Sequence, residues 1–170
     1  MKKYQLSSWN LSEIKPVNLQ KAFQEVESKT KQIEKRRPHL KGSISSKEFH
    51  SLLSDLEKIQ ILNSKLGVYA QLLFAEDSSN QKASALLSQV ENFLTKINNR
   101  LLFFGLWFKK LPEKEAKRLI HSSGKYRYFL EKMYKSKPYL LQEQEEKIIN
   151  LKDVTGVSAL NSIYNILCSQ

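Results

Sequence analysis

Residues 46–75 read SKEFHSLLSDLEKIQILNSKLGVYAQLLFA, and this stretch decides the fold. Its apolar side chains recur at alternating steps of three and four residues, with Asn63 at one position of the series. That spacing places them on one face of a long amphipathic helix. The apolar positions are Phe49, Leu52, Leu56, Ile59, Leu66, Ala70 and Leu73.

Two polar features refine this prediction. Ser45 and Glu48 have the spacing of a capping box, in which the Ser45 hydroxyl accepts from the Glu48 amide and the Glu48 carboxylate reaches back. Asn63 could fix the register of a helix pair, but we expect a hydrogen-bonded polar residue at the edge of the stripe.

Residues 80–110 repeat the pattern, which predicts a second helix of similar length. Asp77, Ser78 and Ser79 offer N-cap groups just before it. Because the link between the two helices is short and polar, we predict an antiparallel helical hairpin. The second stripe consists of Ala83, Leu86, Val90, Phe93, Ile97, Leu101, Phe104 and Phe108.

The rest of the chain predicts shorter helices and no alternating strand pattern. We expect an all-α fold, a multi-helix bundle or array built on the long hairpin, as a single helical domain over residues 1–170. Ile148, Ile149 and Leu151 are expected as apolar contacts, and Gly156 as a turn. The expected helices span residues 18–37, 111–121, about 126–137, 142–151 and about 157–167.

Composition is that of a soluble globular protein, with 41% hydrophobic and 26% charged residues. The single Cys168 can form no internal disulfide, and the N-terminus MKKYQLSSW has no apolar run typical of a secretory signal. The longest apolar run, residues 101–108, is far shorter than the ~20 residues that span a bilayer. These features predict a cytoplasmic protein without a membrane segment.

The net charge of +11 is concentrated in two segments. Residues 1–41 hold ten Lys and Arg against four Glu, and residues 109–137 hold ten against three. A solvated surface is the favoured interpretation, and a helical nucleic-acid or anionic-surface binder is the alternative. The tyrosines between the basic residues, among them Tyr128, are expected to serve the core. The candidate anion or partner contacts are Lys35, Arg36, Arg37, Lys125, Arg127 and Lys132.

Catalytic motifs are missing from these 170 residues. A helical zinc site places two His at i and i+4, whereas His39, His50 and His121 lie far apart, and no H-E-x-x-H occurs. Cys168 has no His nearby in sequence, and there is no Gly-rich phosphate loop. We therefore expect no catalytic, metal or cofactor-binding residue in this chain.

Six short motifs stand out along the chain: Trp9-Asn10-Leu11, Leu40-Lys41-Gly42, Val68-Tyr69-Ala70-Gln71-Leu72, Glu76-Asp77-Ser78-Ser79-Asn80, Tyr126-Arg127-Tyr128-Phe129-Leu130 and Glu145-Glu146-Lys147-Ile148-Ile149. Each motif is unspecific by itself, whereas their order and spacing are specific, and residues 147–160 are the most distinctive. Together they resemble the oligoendopeptidase F family of zinc-dependent enzymes, which hydrolyse oligopeptides.

The resemblance implies an all-helical N-terminal domain that forms one wall of a peptide channel opposite a zinc domain. The family's catalytic residues have no matching positions here, so zinc is expected in the related full-length enzymes and no peptidase activity from this chain alone. The expected role is a channel wall or docking module for a separate zinc-peptidase domain or a peptide.

The last predicted helix carries an apolar stripe almost to its end. Leaving such a stripe in water forfeits several kcal/mol at roughly 25 cal/mol per Å2, so it must fold back, dimerise or dock on another domain. Dimerisation of the stripe would give a homodimer, and a third hypothesis is a self-associating helical scaffold that uses the long hairpin. The docking stripe is Val157, Leu160, Ile163, Tyr164 and Leu167.

Overall fold

The structure is a computed structural model that describes residues 9–168, without the side chains of Ser158, Ser162, Asn165 and Ile166. No strand occurs in this described part, so the all-α prediction is confirmed. Short 3-10 turns span Arg37–His39, Gly124–Tyr126 and Lys137–Tyr139. The α-helices are α1 (Leu19–Glu34), α2 (Ser46–Glu76), α3 (Gln81–Lys110), α4 (Glu113–His121), α5 (Arg127–Lys135), α6 (Glu143–Asp153) and α7 (Ala159–Cys168).

The predicted hairpin is formed by α2 and α3, with α1 packed against both. Phe49 at the start of α2 lies beside Phe108 at the end of α3, with ring centroids 5.9 Å apart, so the two helices run antiparallel. On the α1 side, Phe23 contacts Phe93 of α3 at 4.5 Å between centroids. The apolar stripes thus meet in one core, as their periodicity requires.

The two long helices begin differently. The predicted capping box of α2 is confirmed: the Glu48 amide donates to Ser45 Oγ at 3.2 Å, and the Ser45 amide donates to Glu48 Oε2 at 3.3 Å. The prediction for α3 was wrong, because its N-cap is Asn80, whose Oδ1 accepts from the amides of Lys82 and Ala83. Asp77 instead closes the preceding turn.

Asn63 departs from the expected edge position. It is only 5% exposed, and its Oδ1 accepts no hydrogen bond within the described residues. The reason is its place in the stripe, between the buried Ile59 and Leu66, where α1 and α3 exclude water. An unpaired buried amide oxygen costs free energy, so this position lowers stability rather than adding to it.

α4 and α5 close the end of the hairpin where α2 begins. Leu119 and Leu130 are fully buried there, and the Tyr134 hydroxyl donates to the Leu111 carbonyl at 3.1 Å. Gly124, between the two helices, has φ of +54°, a conformation that favours glycine. This explains why the chain breaks at residues 122–124, as predicted.

The expected turn at Gly156 is not formed. Residues Val154–Ser158 adopt a π-helical segment that joins α6 to α7 without interrupting the helical path. α6 packs along α3, and the Asn150 amide donates to Asn99 Oδ1 at 2.8 Å. A one-residue insertion into a helix is a common origin of such a π-bulge, and it keeps the chain helical where a turn was expected.

The apolar contacts predicted for α6 were also wrong. Ile148, Ile149 and Leu151 are 54%, 44% and 53% exposed. The face of α6 that meets α3 is polar and includes Asn150, so the helix turns its apolar residues outward.

Candidate functional site

The histidines and the cysteine lie apart in the fold. His39 is in the first 3-10 turn, His121 ends α4, and the His50 ring lies edge-on to Tyr126 at 5.4 Å. Cys168 is exposed at the end of α7. No three His, Cys, Asp or Glu residues within residues 9–168 are grouped so that they could hold a metal ion.

The candidate anion contacts do not form one surface. Lys35 is exposed and makes no ion pair with a described residue, and the Lys132 ammonium lies 5.4 Å from the Tyr128 ring centre. Tyr128 itself is 69% exposed, so the expectation that it serves the core was wrong. Tyr128 faces outward because α5 turns Leu130, two residues further on, into the core.

The four remaining candidates are each paired with an internal carboxylate. Because a paired cation presents less net charge to a phosphate, these partners weaken the anion-binding interpretation. The pairs are Arg36–Asp55 at 2.7 Å, Arg37–Glu143 at 2.7 Å, Lys125–Glu57 at 2.7 Å and Arg127–Glu131 at 2.8 Å.

Three of these pairs join separate elements, and one of them, Arg36–Asp55, links the segment after α1 to α2. Arg37 donates to both oxygens of Glu143 and lies 5.2 Å from the Phe103 ring centre, which links the end of α1 to α6 and α3. Lys147 donates to the same carboxylate at 2.7 Å, and this bond, followed by that from Arg37, holds the pKa of Glu143 below its usual range. The cluster fixes where α6 starts.

The third inter-element pair involves Glu57 of α2. Lys125 donates to both of its oxygens, and the Tyr126 hydroxyl donates to Oε2 at 2.8 Å. These bonds, that from Lys125 first, lower the pKa of Glu57. The pair orients the turn before α5, a positioning role that sequence reasoning had assigned to anion contact.

Sequence reasoning missed the ion-pair network of Arg100. This α3 residue donates to Glu34 at 2.8 and 2.5 Å and to Glu27 at 2.6 Å. The bonds from Arg100 lower the pKa of Glu34. Nothing in the local sequence marks these residues as partners, since they are more than 60 residues apart and meet only because α1 packs on α3.

The predicted docking stripe is exposed in the structure. We call it the C-terminal ridge: Val157, Leu160, Ile163, Tyr164 and Leu167, which are 60%, 68%, 55%, 66% and 64% exposed. The helix that carries most of it, α7, has the sequence ALNSIYNILC and holds no charged residue. An exposed apolar stripe without charge is unusual on the surface of a soluble domain.

None of the described helices is both long enough and apolar enough to cross a bilayer. The ridge follows α6, whose Ile148, Ile149 and Leu151 are exposed as well, whereas α1, α2 and α3 pack their apolar stripes against one another.

The fold and the ridge define an all-helical module with one exposed apolar side. A family model described as Oligopeptidase F matches residues 107–170, the region that runs from the end of α3 through the ridge. The resemblance to the oligoendopeptidase F family is thereby confirmed, most directly for this region. Of the resembling motifs, those at residues 126–130 and 145–149 fall inside it.

One curated protein is similar as well. The oligoendopeptidase F homolog of Borreliella burgdorferi is 28% identical over 104 residues, which are 60% of this chain. The chain spans only 16% of the length of that relative. No solved structure matches the chain.

Proposed function

We propose that this chain is a non-catalytic helical domain related to oligoendopeptidase F, which docks through its C-terminal ridge onto a polypeptide carrying the zinc-binding helix. The observation that carries the proposal is the exposure of the ridge, more than half for each of its five side chains, within the region that matches the family model. The combined domains would enclose a channel for short peptides, with this chain as one wall.

The energetics favour a docked ridge. Completing the burial of a half-exposed Val, Leu or Ile side chain contributes roughly 1 kcal/mol. The four aliphatic side chains of the ridge, together with Tyr164, therefore supply about 5 kcal/mol before the cost of association is subtracted. The absence of charge in α7 removes the desolvation penalty that would oppose this contact.

The chemistry of the pair would be divided between the two polypeptides. Zinc lowers the pKa of a bound water and polarises the peptide carbonyl in such enzymes, and its ligands are the histidines of H-E-x-x-H. That motif does not occur in these 170 residues. What this chain would supply is shape: helical walls, held rigid by the ion pairs of Arg37 and Arg100, that admit short peptides.

The first experiment tests docking. A polypeptide from the same genome that carries H-E-x-x-H is titrated with this chain, and association is measured by calorimetry. Leu160→Ser with Leu167→Ser should weaken binding by at least about tenfold. Ile61→Ser with Val68→Ser is the matched control, since these α2 side chains are also 51% and 46% exposed. Equal loss in both variants would contradict the ridge as the interface.

The second experiment separates docking from activity and self-association. A quenched oligopeptide is incubated with added zinc and with either this chain, the zinc polypeptide or both. We expect turnover only when the zinc polypeptide is present, and a change in its peptide-length preference when this chain is added. Turnover by the pure chain alone would sink the proposal. Light scattering of the chain alone reports whether the ridge binds a second copy instead.

A further inference from the structure

A cavity of about 680 Å3 lies between the loop that follows α1 and the first two turns of α2. Its lining combines basic side chains with apolar ones. Lys41 and Lys47 supply the charge, and Leu40 and Ile44 supply apolar surface. The volume lies in the range of about 300–1,000 Å3 typical of small-ligand sites.

The two lysines are uncommitted. Neither forms an ion pair or a side-chain hydrogen bond with a described residue, whereas Arg36, which also lines the cavity, is paired with Asp55. The acidic lining residue, Glu48, is engaged in the capping box, where its Oε2 also accepts from the Ser45 hydroxyl at 2.6 Å. The cavity therefore offers two ammonium groups without a carboxylate of their own.

The loop wall is held from behind. The Arg118 guanidinium donates to the carbonyls of Gly42 and Ile44 at 2.8 and 2.9 Å. Gly42 also packs closely on α4, since a Cβ there would lie 3.4 Å from Glu115 Cγ. A wall fixed by hydrogen bonds and close packing reduces the entropy that a ligand must overcome.

We infer that this cavity binds the C-terminal residue of a peptide. Lys41 and Lys47 pair with the terminal carboxylate, and Leu40 and Ile44 contact an apolar last side chain. The Ser51 hydroxyl, which makes no hydrogen bond to a described residue, is available to the peptide backbone. Capture of a terminal carboxylate by oriented donors is a recurrent mode of peptide recognition.

The inference rests on the proposed function, in which this chain forms one wall of a peptide channel. The cavity would hold one end of a peptide at that wall. The chemistry itself is a carboxylate on an apolar body, which a fatty acid also carries. The peptide is favoured over the fatty acid because hydroxyl groups line the cavity beside its apolar residues. A small inorganic anion would contact only Lys41 and Lys47 and not the apolar lining residues.

The test is an NMR titration of the 15N-labelled chain with four probes. They are N-acetyl-Ala-Ala-Leu with a free carboxylate, the same peptide as its C-terminal amide, octanoate, and inorganic phosphate. The acid should shift the Gly42 and Ser51 amides, and the peptide amide should bind at least about tenfold more weakly because it lacks the charge. Equal binding of acid and amide would overturn the inference.

Variants locate the site. Lys41→Ala with Lys47→Ala should weaken binding of the acid by at least about tenfold, while Lys65→Ala with Lys82→Ala, exposed lysines without ion pairs elsewhere on α2 and α3, should not. Unchanged binding in the first variant overturns the inference, as does tighter binding of octanoate or phosphate than of the peptide acid. Circular dichroism melting checks that both variants fold.

The two proposals fail separately. Loss of ridge docking in calorimetry with intact binding of the peptide acid removes the proposed function alone. Docking that persists while the acid leaves the Gly42 amide unshifted removes only the carboxylate site.

Discussion

At the scale of single residues, Arg100 links two helices through three charged hydrogen bonds. It is 29% exposed, and its partners Glu27 and Glu34 are 35% and 34% exposed. Partial exposure screens these pairs but does not remove the cost of leaving one partner uncompensated. The network therefore contributes to the placement of α1 on the hairpin.

We predict that Arg100→Met lowers the free energy of unfolding at pH 7 by about 1.5 kcal/mol, at the low end for charged hydrogen bonds because of that exposure. The folded-state pKa of Glu34 lies below its ordinary value of 4.5. The stability it adds is thus complete above the unfolded pKa and is lost as pH falls through the folded pKa. Urea unfolding at pH 7 and pH 3 should show the wild-type advantage shrink in acid.

The matched control is Lys65→Met, which removes an exposed cation that has no ion pair in the described part of the chain. It should leave the free energy of unfolding within about 0.5 kcal/mol at both pH values. Equal loss in the two variants would show that the Arg100 network adds no stability.

Glu91 of α3 behaves oppositely. It is partly buried, makes no ion pair with a described residue, and burial raises its pKa. A raised carboxyl pKa means that folding disfavours the ionised form, so this carboxylate costs stability above the unfolded pKa and the cost disappears as pH falls.

Glu91→Gln should therefore raise the free energy of unfolding by about 0.5 kcal/mol at pH 7, and the gain should vanish near pH 3, where wild-type Glu91 is protonated. Glu13→Gln, at an exposed position before α1 with no ion pair to a described residue, controls for the loss of one negative charge in a protein of net charge +11. A gain of the same size from Glu13→Gln would assign the effect to net charge rather than to burial.

At the scale of helices, two glycines allow the effect of available space on stability to be distinguished from the effect of backbone conformation. A Cβ at Gly105 in α3 or at Gly124 before α5 would meet no atom within 4 Å. They differ in φ, since only Gly124 is at a positive value, +54°. The same substitution at both positions thus isolates the backbone contribution.

Gly105→Ala should raise the free energy of unfolding by about 0.5–1 kcal/mol, because alanine loses less conformational freedom on entering a helix. Gly124→Ala should lower it by about 1 kcal/mol, because a side chain is strained at positive φ. Thermal unfolding of each variant, compared with wild type, measures the two changes in stability. Shifts of the same sign would contradict the explanation.

Helix existence could be predicted from the sequence, whereas helix environment could not. The stripe from Phe49 to Ala70 requires a buried face, and it is buried against α1 and α3. The outward Ile148 could not be anticipated, because periodicity shows that a helix has an apolar face without showing what covers it. The predicted turn at Gly156 was wrong for a related reason: a glycine indicates a break in a helix, but a π-bulge also accommodates a glycine.

The candidate site divides in the same way. The spacing of the last helix predicted the apolar stripe of the ridge, but its exposure was only one of the outcomes left open, since the stripe could also have folded back on the chain. The pairing of Arg36 with Asp55 and of Lys125 with Glu57 depends on how α2 packs. The partners of each pair are too far apart in sequence for a local pattern to reveal them. The sequence therefore showed the basic side chains but not the carboxylates that pair with them in the fold.

At the scale of the whole molecule, charge and apolar surface are separated. The basic segments flank the helical hairpin, while the C-terminal ridge is uncharged. We therefore expect anions to be attracted at long range, and tight binding at the ridge and in the cavity proposed above. This separation distinguishes specific docking from nonspecific adhesion.

Nucleic-acid binding tests that distinction. Four of the six candidate contacts, among them Arg37 and Arg127, already pair with carboxylates, so within the described residues only two of these candidates remain to displace counterions from phosphates. We predict that retardation of a DNA or RNA duplex seen at 20 mM salt disappears by about 150 mM, with a salt slope of about two to three ions. Lys35→Ala with Lys132→Ala should reduce that weak binding further, because these two candidates lack carboxylate partners. A slope of about six or more, or binding that survives physiological salt and prefers one sequence, would contradict the internal-pairing argument and restore the nucleic-acid interpretation.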